Sequence, residues 1–190
     1  MGDAERIVQA VLPAGADFGA ITPDDKDWTW VLQQRCAECG FDPDNVTGPD
    51  VPALLGDAAA RFAAVLLRPD IRERPDPAAW SPLEYVCHVR DVNTVITQRA
   101  KTMLTEDDPT FQNWDQDVTA VVERYAEQDP VQVAIELADA AKLAAEVFAD
   151  VGAAQWSRPG RRSNGSVFTV ESLGQYFVHD LVHHLHDLSA

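Results

Sequence analysis

Four of the five histidines in this chain fall within eight residues near its end, as His179, His183, His184 and His186; His88 lies alone in an earlier segment. Imidazole is a common metal ligand, and two rings at i and i+4 on a helix present two nitrogens to one ion. Helix is the natural reading of this stretch, since Leu173, Phe177, Leu181, Leu185 and Leu188 recur at helical spacing. Thr169 stands as its N-cap, with Glu171 placing negative charge in the first turn. At roughly 100° per residue, His179, His183 and His186 share an arc of about 60°, and His184 points elsewhere. That stripe lies opposite the leucines. It is either a solvated polar face or, within a bundle, the lining of a cavity.

Other residues with chemical capacity are scattered. Cys36 and Cys39 form a C-x2-C followed by Gly40. This looks like half of a zinc knuckle, but a second C-x2-C is missing and Cys87 is the one remaining thiol. The pair therefore reads as packing, as metal ligands or as a redox couple. His88 sits on the apolar face formed by Tyr85, Val89, Val92, Val95 and Ile96, either as a hydrogen-bonded core histidine or as a ligand. Asp91 follows by three residues, as a carboxylate that orients an imidazole or as a surface charge. Asp115 and Asp117 flank Trp114 and Phe111, suiting a helix cap or a pocket mouth. Arg158, Arg161 and Arg162 either neutralise nearby carboxylates or hold an anionic substrate.

These groups must be held by helices. Residues 4–12 read as a short helix or a disordered leader, and 28–32 as an extended segment with Trp28 and Trp30 alternating. A long helix follows over 51–67. Ser81, Pro82 and Glu84 form a strong start signal, an N-cap with proline at the first helical position and a capping box, for a helix running to about Leu104. A shorter helix is expected over 117–128, and an alanine-rich one from Asp129-Pro130 until Gly152. Asn164-Gly165 marks a turn before the final helix over 169–188. The pattern predicts an all-α fold, a four-helix bundle over residues 50–190, with a short extra helix and an N-terminal extension (1–49) that carries the C-x2-C.

Bulk properties narrow the partners. A net charge of −16 opposes binding to nucleic acid or an anionic membrane. No apolar run reaches the roughly 20 residues of a membrane helix. The first residues lack a secretory pattern and three cysteines fit a reducing compartment, so a cytoplasmic location is expected.

If His88 lies on the core face of one helix and His179 with His183 on an antiparallel neighbour, three imidazoles converge on one divalent ion. Three protein ligands leave a coordination position for a reactant. Zinc is the first candidate, with nickel, iron and manganese as alternatives. The segments WSPLEYVCHVRDV (Trp80 to Val92) and YFVHDLVHHLHDL (Tyr176 to Leu188) resemble the DinB/YfiT-like superfamily of four-helix bundles. The resemblance implies a divalent metal on His88, His179 and His183, with His186 as a departure that competes with His183 for the ion. It also implies a metal-dependent S-transferase of detoxification type, using a low-molecular-weight thiol with an electrophile, in a chain that dimerises. The alanine-, aspartate- and arginine-rich composition looks actinobacterial and favours mycothiol. Two rivals remain: a non-catalytic metal-binding stress or regulatory protein on the same bundle, and a module stabilised by zinc on Cys36 and Cys39.

Overall fold

The computed structural model describes Ile21 and residues 26–190, so the short helix expected over residues 4–12 lies outside the described residues. Among the described residues five α-helices follow in chain order: α1 (Val51–Val65), α2 (Pro82–Thr105), α3 (Gln116–Val122), α4 (Pro130–Ala149) and α5 (Val170–Asp187). Three short strands, β1 (Thr110–Phe111), β2 (Pro159–Arg162) and β3 (Val167–Thr169), make one small sheet. Its β1–β2 pairing is parallel and its β2–β3 pairing antiparallel, with Gly160 opposite Phe168.

Local chemistry sets the boundaries. Ser81 caps α2 and Glu84 returns its carboxylate to the Ser81 amide at 2.8 Å, closing the expected capping box. Asp129 caps α4 through the Val131 amide, and Thr169 caps α5 through the Ser172 amide. The helix expected over 117–128 is shorter, because Arg124 adopts a left-handed conformation and the chain continues as a single 3-10 turn, Tyr125–Glu127. The extended segment expected at 28–32 is instead a 3-10 helix. The Asp27 carboxylate accepts bonds from both the amide and the hydroxyl of Thr29, which turns the chain.

The four long helices form a bundle in which α1 packs on α4 and α5, and α2 packs on the same two. Helices α1 and α2, consecutive in sequence, thus occupy opposite corners. Their apolar stripes meet in a core built around Leu55, Phe62, Leu83, Leu137, Phe148, Phe177, Leu181 and Leu185. Helix α2 runs antiparallel to α5. The start of α2 lies beside the second half of α5, while Met103 near its end packs on Gly160, where a Cβ would approach its side chain to 2.5 Å. That arrangement carries His88 to the histidine-rich end of α5.

The segment before α1 is laid along α5. Gly48 donates its amide to Glu171 at 3.0 Å, and the Gln175 amide nitrogen donates to the carbonyls of Val46 at 2.8 Å and Pro43 at 3.2 Å. Val31, Cys36 and Phe41 are buried beneath it. No helix among the described residues is long and apolar enough to cross a membrane.

Candidate metal centres

The five histidines do not form one cluster. Cys36, Cys39, His179 and His183 bring one ligand atom each within 4.8 Å of one another, and His88, Asp180 and His184 do the same separately. The expected set of His88, His179 and His183 is therefore divided between two centres on neighbouring faces of α5. Residues four apart stay on one face. Glu171, Gln175, His179 and His183 make one such stripe, facing the N-terminal segment; Tyr176, Asp180 and His184 make the next, facing α2 and a cavity.

His88 is fully buried, and neither of its ring nitrogens has a hydrogen-bond partner. An orphaned imidazole in a core is costly, and coordinating a cation is one way to satisfy it. Its Nε2 lies 3.8 Å from Oδ2 of Asp180, another buried atom without a hydrogen bond, and the His184 Nε2 lies 3.7 Å from that same oxygen. Trp114 stacks on the His88 ring at 5.5 Å and Trp80 tilts against it at 5.1 Å, fixing the imidazole. Trp114 is held in turn by a bond from its indole nitrogen to the Thr119 hydroxyl. Burial lowers the His88 pKa against the opposing pull of Asp180. Burial raises Asp180, but His184 and His88 more than reverse this and leave it at about 2. Neutral imidazole beside ionised carboxylate is the form in which both ligate. Two histidines and a carboxylate are the donor set of open zinc and iron sites.

The other centre has a different character. The turn after Cys36 closes by bonds from the Gly40 amide to the Cys36 carbonyl at 3.0 Å and from the Cys36 amide to the Phe41 carbonyl at 2.8 Å. Gly40 sits at φ +79°, which a side chain would strain. Cys36 Sγ lies 3.8 Å from His183 Nδ1, while Nε2 of the same ring faces Glu38 at 3.4 Å and Asp187 at 3.9 Å. Buried His179 has an Nε2 without a partner, and burial lowers its pKa to about 4. Burial, opposed by the Phe41 amide and reinforced by the Cys36 thiol, pushes Cys39 up to about 11.

A cavity of about 280 Å3 opens beside both centres. Trp28, Trp80, Tyr85 and Tyr176 give it aromatic walls, and Asp117, Asp180, His184 and Asp187 place polar groups on it. Asp187 joins the centres, with Oδ2 at 3.4 Å from His184 Nδ1 and Oδ1 facing His183.

Other expected site residues are engaged elsewhere. Asp91 pairs with Arg90 at 2.8 Å and accepts the Tyr125 hydroxyl, so it orients no histidine. Asp115 caps α3 through the Val118 amide at 2.9 Å. His186 is exposed and belongs to neither group. The arginines face acids and carbonyls: Arg158 bonds to the Met103 and Glu106 carbonyls and Asp107, Arg161 to Asp108, and Arg162 to Ser166 and Asn164. Asp180 and His184 were not among the expected ligands, yet their i, i+4 spacing repeats that of His179 and His183 one position on.

Residues 57–188 match the DinB superfamily, and the chain belongs to it. Among solved structures it is similar to YfiT from Bacillus subtilis, at 18% identity and a TM-score of 0.67, over 75% of this chain and 84% of that one. YfiT is described as a probable metal-dependent hydrolase with an unusual four-helix bundle topology. No curated protein matches the chain.

Proposed function

We propose that this DinB-superfamily chain is a metal-dependent enzyme acting on a small molecule, with His88, Asp180 and His184 as ligands of the working ion. The observation that carries the reading is the buried His88 ring, whose nitrogens lack a hydrogen bond, set 3.8 Å from Asp180 beside the cavity. A divalent ion there supplies Lewis acidity, polarising a bound carbonyl or favouring the ionised form of a thiol. The chain's own residues do the rest. Asp187 faces Nδ1 of His184, leaving Nε2 toward Asp180 and His88. The aromatic walls exclude water and accept a flat or apolar substrate part. With Asp117, Asp180 and Asp187 on the lining, a neutral or cationic electrophile enters more readily than an anion.

The reaction we assign is transfer of a low-molecular-weight thiol, of the mycothiol kind, to such an electrophile. Hydrolysis is the second reading, favoured by the description of YfiT; it uses the same ligands with water as nucleophile. The test is loss of free thiol with a panel of electrophiles, run beside ester and amide hydrolysis, for zinc-, nickel-, iron- and manganese-loaded protein. Transfer predicts metal-dependent thiol consumption that falls to background in His88→Ala. Metal-dependent hydrolysis without thiol consumption replaces transfer by the second reading. Metal binding with neither activity leaves a non-catalytic metal-binding protein.

A further inference from the structure

We propose a second metal site, a closed tetrahedral zinc centre on Cys36, Cys39, His179 and His183, which clasps the N-terminal segment to α5. Four donor atoms, two sulfur and two nitrogen, lie within 4.8 Å of one another, and this set is characteristic of structural zinc. The fit goes beyond donor type. Cys36-x2-Cys39-Gly40 closes as a knuckle through the Gly40 amide to the Cys36 carbonyl and the Cys36 amide to the Phe41 carbonyl. His179 is 3% exposed and its Nε2 has no protein partner. His183 turns Nδ1 toward Cys36, while Glu38 and Asp187 take its other nitrogen, the carboxylate support common behind ligating imidazoles.

The donor sets assign the two centres different work. The thiolate-bearing site has no position left for a reactant, whereas the three-donor site beside the cavity does. The clasp lies 147 residues apart in sequence at its Cys36–His183 contact. It extends the stripe in which Glu171 and Gln175 already bind the backbone near residues 43–48. Trp28 rides on the same segment, packs on His179 and His183 at 5.6 and 4.8 Å, and forms one cavity wall. Zinc here fixes the wall of the cavity that Trp28, His179 and His183 form.

The test is cobalt substitution of the full chain with metal counting. Wild-type protein is expected to bind cobalt with intense tetrahedral bands and a sulfur-to-cobalt charge-transfer band, neither of which needs a variant. His88→Ala keeps that band and loses one metal equivalent; Cys36→Ser and Cys39→Ser each weaken it, and the double variant loses the band and one equivalent. Absence of the charge-transfer band from cobalt-loaded wild-type protein overturns the proposal, as does its persistence at full strength in the Cys36→Ser, Cys39→Ser double variant. A band-bearing protein with one equivalent, unaffected by His88→Ala, upholds the clasp and removes the ion proposed for the cavity.

Discussion

Asp187 is the residue at which the two centres meet, since its oxygens face His183 and His184. Carboxylates behind ligating histidines typically contribute about 10–100-fold in metal affinity. Asp187→Asn is therefore expected to weaken binding at the cavity site by about that factor, read by competition with a chelating dye; unchanged affinity would remove Asp187 from the site. Gly40 offers a separate test. An alanine at its φ of +79° costs about 1–2 kcal/mol, which denaturant melts of the zinc-loaded protein should detect. At this scale the sequence was informative about residue type and weak on partnership. His88, His179 and His183 were legible as candidate ligands because of their type and spacing. Their division into two centres was not, because about 100° of helical rotation separates His183 from His184 and only packing decides which face meets α2. The proposed clasp was half legible: Cys36, Cys39 and Gly40 announce the turn, but His183, which faces it, lies 147 residues beyond Cys36.

Among the elements, the start of α2 matters most, because it sets the position of His88 one turn later. Glu84 there accepts the Ser81 amide and a two-pronged bond from Arg74, at 3.0 and 2.5 Å. Burial raises its pKa, but Arg74 and Ser81 outweigh that and the net shift is downward. A carboxylate with a depressed folded pKa stabilises the fold above its unfolded pKa, and that contribution is lost as pH falls through the folded value. Glu84→Ala is expected to cost about 1–2 kcal/mol at pH 7. The penalty should shrink in urea melts taken below pH 4, and a penalty independent of pH would contradict this. Helix starts were readable from Ser81, Asp129 and Thr169 because capping is local chemistry. The early end of α3 was not, since the left-handed turn at Arg124 falls on a residue with no intrinsic preference for it. Likewise, the strands β1 to β3 are too short to show alternation; only the Asn164-Gly165 turn hinted at them.

For the whole molecule, the bundle places consecutive helices α1 and α2 at opposite corners, so α5 has one flank against α2 and another open to the N-terminal segment. One helix can thereby serve two metal centres with different duties. If zinc clasps that segment, saturating metal at about 1,000 times its dissociation constant adds about 4 kcal/mol to stability. For a chain of this size that is roughly 8–16 °C in Tm. Chelation should lower the thermal midpoint by that amount in wild type and leave a Cys36→Ser, Cys39→Ser double variant much less affected; equal shifts in both would argue against the clasp. The most direct measurement is anomalous scattering from a crystal of metal-loaded protein, with data on both sides of the absorption edge. The account predicts two separate peaks, one among His88, Asp180 and His184 and one among Cys36, Cys39, His179 and His183. A single peak shared by His88, His179 and His183, or none beside His88, would contradict it.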